Sequence, residues 1–228
     1  MAPKNPDRYC TCISRQPQAN GKAALLNESR WQSGNVIQAT FVEGDRPELQ
    51  ERVRKVALGW TAPNLANLEI QFVDGGPADV RIAFMPGKGS WSVLGTQCRE
   101  VPSDQPTMNF GWLTDESSDD EVRRVVLHEW GHALGLIHEH QNPKGGIKWN
   151  EPAVIADLSK PPNSWDEATI RHNVLDHYPA NAVTSTEVDA HSIMMYPIPA
   201  SWTLDGFSAD LNDGLTPTDE TFIHTSYP

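Results

Sequence analysis

Eleven consecutive residues constrain this chain more than any other feature: His128-Glu129-Trp130-Gly131-His132-Ala133-Leu134-Gly135-Leu136-Ile137-His138. On an α-helix, side chains four apart share a face, so His128 and His132 can meet one ligand. Gly135 tolerates a sharp turn, which lets the chain swing His138 back to the same point. Three neutral imidazoles leave a fourth position open for water, which is the donor set of a catalytic zinc ion rather than a closed structural one. Glu129 lies one step round the helix, beside the metal and free to hold that water. On composition alone, the five fixed positions arise by chance at roughly 1 in 10⁴ or rarer, for a pattern with a known metal-binding mechanism.

The surrounding sequence supplies the scaffold. Residues 119–135 read as a helix: Ser118 with Glu121 fits a capping box, and Asp119, Asp120 and Glu121 complement the helix dipole. Val122, Val125, Val126, Ala133 and Leu134 give it a buried stripe. Residues 47–61 carry Leu49, Val53, Val56, Ala57 and Trp60 at helical spacing, with Pro47 in the first turn. β-rich or alternating runs at 36–42, 68–73, 79–85, 90–94 and 107–112 read as strands, with Asp74-Gly75-Gly76-Pro77 as one turn. The order predicts an α+β fold, a mixed twisted sheet backed by two main helices. Past His138 the chain is rich in Pro and Asn, with short helices near 151–158 and 165–174. A last helix starts near Thr216 or Thr218. Residues 1–29 read as a polar tail or a strap over the surface. Residues 90–95 read as the edge strand of a cleft, where Trp91, Ser92 and Val93 offer main-chain hydrogen bonds to an extended peptide.

Composition excludes several functions. Eighteen Lys plus Arg against 30 Asp plus Glu give a formal charge of −12, and nucleic-acid partners need a basic face. No stretch approaches the roughly 18 apolar residues of a membrane span. The first eight residues have no apolar core of the signal-peptide kind. Of the other histidines, His140, His172, His177, His191 and His224 have no partner at metal spacing, and His140 is expected to point away from the ion. Three cysteines, Cys10, Cys12 and Cys98, do not make a disulfide framework. At most one bridge forms, and Cys98 with one of the other two is the expected pair.

The histidine segment resembles the extended zinc motif of the metzincins, which place a methionine-containing turn beneath the metal. Ser192-Ile193-Met194-Met195-Tyr196 is similar to that turn, with Met194 as its methionine. Tyr196 two beyond Met194 resembles a tyrosine of the astacin family and of the serralysins, and Glu139 directly after the third histidine resembles the astacins. The resemblance implies one catalytic zinc held by His128, His132 and His138, with Glu129 activating its water. It implies that Tyr196 stabilises the transition state. It implies an upper lobe over residues 30–138 and an irregular lower lobe over 139–228, with a cleft between them. Pro197 then walls the pocket for the residue that follows the scissile bond. The implied activity is endopeptidase cleavage of proteins or peptides by a monomer, and the family's enzymes are mostly secreted.

The chain departs from astacins in three places. Its cysteines do not fit their two-disulfide pattern, residues 141–146 replace an Arg- and Asp-rich run, and Met195 stands where His is common. Matrixins use an upstream cysteine as a fourth zinc ligand to hold the enzyme latent, and Cys10 or Cys12 could serve in that way. Two other classes share such a motif: a zinc module that only recognises peptides, and a hydrolase for a different amide. The presence of Glu129 speaks against the first, and a protein-sized substrate screen separates the second.

Overall fold

The computed structural model describes residues 9–14, 29–42, 46–178 and 187–228. Most of the expected N-terminal tail, including residues 1–8 that were read for a signal peptide, lies outside the described residues. Six strands form one sheet: β1 (Thr11–Ile13), β2 (Val36–Phe41), β3 (Glu69–Phe72), β4 (Val80–Ala83), β5 (Ser90–Val93) and β6 (Met108–Phe110), in the order β1-β5-β6-β4-β2-β3. The pairings are parallel except for β5 with β6. The mixed sheet predicted from sequence is therefore present.

Two helices pack on it. In α1 (Pro47–Ala57) the buried residues Leu49, Val53 and Ala57 fall four apart, one stripe facing the core. The long helix α2 (Asp119–Ala133) carries the histidine pair and is buried along most of its length. Ser118 caps it by accepting from the Glu121 amide at 3.2 Å. The second half of the expected capping box is not made. Glu121 instead pairs with Arg124 at 2.8 Å and accepts from the Trp112 indole at 3.1 Å.

The end of α2 sets the position of everything after it. Gly135 has φ +92°, and its amide donates to His132 O while Leu136 N donates to Gly131 O. This left-handed closure is the glycine-dependent helix end. Carbonyls that such an end leaves unpaired find distant donors. The Trp31 indole reaches Ala133 O at 2.8 Å, and the Tyr227 hydroxyl reaches Leu134 O at 2.6 Å. Upstream, the Trp60 indole meets Leu127 O at 2.9 Å.

Beyond α2 come α3 (Glu151–Leu158), α4 (Glu167–Ile170) continuing into a wider π turn over Arg171–Leu175, and α5 (Pro217–Ser226). Here a full capping box does form, between Thr216 and Asp219. One apolar cluster joins the sheet to α1 and α2. A second holds Val154, Leu158, Ile170, Tyr196, Ile198 and Trp202.

Two expectations are corrected. β5 is not the edge of the sheet, because β1 pairs along it with Thr11 opposite Trp91, Cys12 opposite Ser92 and Ile13 opposite Val93. An open strand edge is a template for pairing, and the chain fills this one with its own N-terminal segment. Part of the presumed irregular tail is thus a strand. The expected disulfide is absent as well: Cys10, Cys12 and Cys98 are all free and buried. Each sits in a different apolar cluster, so no two thiols meet.

Candidate active site

The structure brings His128, His132 and His138 together, each offering one ligand atom, all within 4.8 Å of one another. Each ring is oriented by its other nitrogen. His128 Nδ1 faces Ile193 O at 2.8 Å, His132 Nδ1 faces Leu136 O at 2.8 Å, and His138 Nδ1 faces the Gln141 carbonyl oxygen at 3.2 Å. Acceptors at Nδ1 demand an N–H there, which leaves Nε2 with its lone pair facing inward. The buried Nε2 of His128 has no hydrogen-bond partner, and the Nε2 atoms of His132 and His138 are 3.0 Å apart. Burial lowers the pKa of all three rings, that of His132 to about 4, which favours the neutral form that a metal needs. Neutral, converging, otherwise unpaired nitrogens fit a tetrahedral zinc ion, whose ligand nitrogens stand about 2.1 Å from the metal.

Glu129 sits beside this cluster with no solvent exposure, and the neighbour that faces its carboxylate is the Cys10 thiol. Burial raises its pKa to about 8, opposed by the nearby Cys10 thiol and Arg124. A divalent cation next to it would pull that value back down.

Beneath the histidines runs the methionine turn. A Cβ on Gly131 would collide with the Met194 sulfur, so the glycine lets α2 settle directly on the turn. Ile193 orients His128, and Met194 O accepts from Glu139 N at 3.0 Å. The turn is fastened from below by buried Asp219. That carboxylate accepts from Ser192 Oγ at 2.6 Å, Ile193 N at 3.0 Å and Thr216 N at 2.9 Å. Sequence reasoning missed Asp219, Gly131 and Gln141. The side-chain amide of Gln141 donates to His172 O at 2.6 Å and Asp176 O at 3.0 Å, which turns its oxygen toward His138.

Tyr196 lies with its ring centroid 4.3 Å from that of His138, and its hydroxyl donates to Cys10 O. His140 stacks on His138 but bonds away, to Asn173 O at 2.9 Å. Trp91, Ser92 and Val93 face β1 across the sheet. Pro197 O accepts from the Tyr9 hydroxyl at 3.1 Å. Between Tyr9, Cys10, Arg124, His128 and Pro197 only a small cavity of about 20 Å³ remains, about one water's worth of room. Tyr9 and Cys10 of the N-terminal segment line that cavity together with His128 and the residues of the methionine turn. Cys10 lies beside Glu129, and burial and that carboxylate both push its thiol pKa up. Cys12 packs against Leu94, Ile137 and Tyr178 instead.

A histidine pair on one helix, closed by a third histidine above a methionine turn, defines the metzincin class of zinc proteases. A structure of myroilysin aligns at TM-score 0.85 with 39% identity, covering 89% of this chain and 97% of that one. A second crystal structure of myroilysin aligns at TM-score 0.71 with 36% identity, over 99% of this chain and 92% of its own. The chain belongs to the astacin-like zinc metalloproteases. A hatching enzyme zinc-protease from Oryzias latipes shares the fold at TM-score 0.57 and 14% identity, over 88% of this chain and 95% of that one. A zinc metalloproteinase of Caenorhabditis elegans, nas-38, is 25% identical over 114 residues, which are 50% of this chain but 14% of that protein's length. No protein-family model matches the chain. Among the described residues, no helix is long and apolar enough to cross a membrane.

Proposed function

We propose that this chain is a zinc-dependent endopeptidase that cleaves internal peptide bonds of proteins or peptides. The observation that carries the reading is the convergence of three buried imidazole nitrogens beside the buried carboxylate of Glu129. Zinc held by His128, His132 and His138 supplies an acidified water and a Lewis acid for the peptide carbonyl. Glu129 takes the water's proton on a carboxylate oxygen and delivers it to the leaving amine nitrogen. Tyr196, once its hydroxyl is released from Cys10 O, donates to the oxygen that becomes negative. The reading includes one zinc ion, a monomer and a secreted site of action.

The conformation described is a self-occupied one. β1 lies where a substrate strand would pair with Trp91, Ser92 and Val93, and Cys10 sits against the general base. Of the two thiols considered for latency, Cys10 is the one at the site.

The test is cleavage of casein by the unmodified chain and by Glu129→Ala at equal zinc content. General-base loss is expected to lower the rate about 10²–10⁴-fold. Equal rates would remove Glu129 from the mechanism. A Cys10→Ala, Cys12→Ala double variant should be more active than the unmodified chain. Equal activity would show that the thiols do not restrain it.

A further inference from the structure

The strand β1 is held along both of its edges. On one edge it pairs with β5, where Leu94 N donates to Ile13 O at 3.0 Å. Main-chain groups of an extended chain alternate in direction, so the Cys12 amide faces away from β5. It donates to the Asn173 side-chain oxygen at 3.3 Å. Asn173 is 4% exposed, and its side-chain amide is oriented without help from β1. Its Nδ2 donates to Thr169 O at 3.0 Å. A carbonyl accepts only from a donor, so the side-chain oxygen is the atom turned toward the groove. Asp166 fixes the turn beneath by accepting from Thr169 N at 2.8 Å. Asn173 stands in the π turn over Arg171–Leu175, a widened geometry that is rare and concentrated at functional sites. The same turn carries His172 O, which accepts from the Gln141 amide, and Asn173 O, which accepts from His140 Nε2 at 2.9 Å. One turn therefore supports the groups behind His138 and presents an acceptor to the chain in the groove. Further along this wall, the Tyr178 hydroxyl lies 3.2 Å from Ser14 Oγ.

We propose that Asn173 is a substrate-positioning residue: with β1 displaced, its side-chain oxygen accepts a main-chain N–H of an extended substrate, on the edge opposite the one that β5 holds. The proposal rests on the endopeptidase reading. Three observations support it. The bond seen is to main chain, so it serves any residue that has an N–H and rejects proline at one position. The acceptor is buried and held in place from behind, so departure of β1 alone would leave it unsatisfied, which favours a ligand that restores the bond. A peptide lying on β5 turns every second N–H to the far wall, and Asn173 stands where that N–H arrives. Its place along the groove also follows. Pro197 contacts Tyr9 on one side of Cys10, and Asn173 contacts Cys12 on the other. With Pro197 on the side of the residue after the scissile bond, Asn173 serves the residues before it.

The test reads binding to the full zinc-loaded chain by calorimetry and does not depend on catalysis. The probes are acetyl-trialanine hydroxamate, whose hydroxamate binds zinc and whose residues extend over the side before the scissile bond, and three ester forms. In each ester form one main-chain N–H is replaced by oxygen, which removes a donor without adding bulk. In the unmodified chain, the ester at the amide facing Asn173 should bind at least about tenfold more weakly than the parent, through the lost bond and the stranded acceptor. In Asn173→Leu that penalty should shrink to within about twofold, while a penalty at an amide facing β5 persists. Asn173→Leu also loosens β1 and so strengthens the apparent binding of every probe. The ratio of ester to parent is free of that effect, because displacing β1 is common to both. Asn173→Ser, a smaller change whose hydroxyl stops short of the groove, should lose the same penalty and replaces Asn173→Leu where that variant does not fold. Unchanged ratios in these variants overturn the anchor. Loss of every penalty at once also overturns it, since the wall as a whole would then have collapsed. A zinc-loaded chain that binds none of the hydroxamates has no groove open to a peptide and overturns it as well. The expected ratios with no cleavage of casein support the anchor and overturn the peptidase reading instead.

Discussion

The floor of the site and the strand that covers it are built in opposite ways. On the floor, every ligand ring has a fixed acceptor at Nδ1, two of them main-chain carbonyls, and the methionine turn is tied to α2, to the chain after His138 and to α5. The cover is a three-residue strand on one neighbour, with the Tyr9 hydroxyl on Pro197 O and the Tyr196 hydroxyl on Cys10 O. A metal centre needs donors held in place before the ion arrives, because ordering them afterwards would cost binding free energy. On the self-occupied reading proposed above, the cover would have to give way to substrate, which needs the reverse, contacts that can be exchanged. On that reading the difference would separate a permanent part of the site from a replaceable one.

The largest stability effect should come from the floor. Asp219→Ala would strand Ser192 Oγ and Ile193 N in the interior, each unsatisfied group costing about 1–3 kcal/mol, and would remove the partner of the half-buried Thr216 N. Denaturant unfolding should show a loss of at least about 3 kcal/mol, together with weaker zinc binding through the freed Ile193–His128 link. A loss below about 1 kcal/mol would mean that the turn is held by other contacts and that the floor is less rigid than described. Next is Gly131→Ala. Its new Cβ meets the Met194 sulfur, an overpacking cost of about 1–3 kcal/mol against a helix-propensity gain of about 1 kcal/mol. Pairing it with Met194→Ala should recover much of the loss in a double-mutant cycle. Strict additivity would show that the two residues do not press on each other.

Much of the floor was legible in the sequence because its chemistry is local. The spacing of His128, Glu129, His132 and His138 is set by one helix and one glycine turn, and both are as read. The pieces that were missed act over distance. Asp219 lies 27 residues from Ser192, and the Ile193–His128 bond spans 65. Gly131 is needed because of Met194, which no helical periodicity reveals. Gln141 falls in the segment marked as a departure from astacins, yet only the fold shows that His172 O and Asp176 O hold its amide so that its oxygen meets His138. The cover was legible only as a polar strap. Three residues carry no periodic signal, and Thr11–Ile13 becomes a strand because β5 offers an edge. The disulfide expectation failed for the same reason, since sequence does not say which apolar cluster each cysteine enters.

Gln141 tests whether the floor's precision reaches the metal. Gln141→Leu keeps the size of the side chain and removes the acceptor at His138 Nδ1. Loss of such an outer partner typically lowers metal affinity about 10–100-fold. Competition with a chelator should show that drop in zinc affinity, together with a lower thermal midpoint, because His172 O and Asp176 O lose the donating amide. Unchanged affinity would leave only the two carbonyl-oriented rings as preorganised ligands.

The smallest effect is also the most direct test of the comparison. Hydrogen exchange reads the free energy of local opening, from near zero in weakly held segments to the global value in a core. On the floor, the amides of Leu134 and Leu136 bond to Trp130 O and Gly131 O at the buried end of α2. They should exchange only on global unfolding. At the cover, Leu94 N bonds to Ile13 O at 3.0 Å and Cys12 N faces the Asn173 side-chain oxygen at 3.3 Å. Those amides should open at least about 2 kcal/mol more easily, as a segment held by few contacts does. Tyr9→Ala should speed Cys12 exchange further and leave the α2 amides unchanged, because the tyrosine anchors the strand and not the helix. Equal protection at the two places would mean that strand and floor unfold as one unit. Substrate would then have to reach the histidines only after the strand is removed covalently, not by exchange with a loosely held cover.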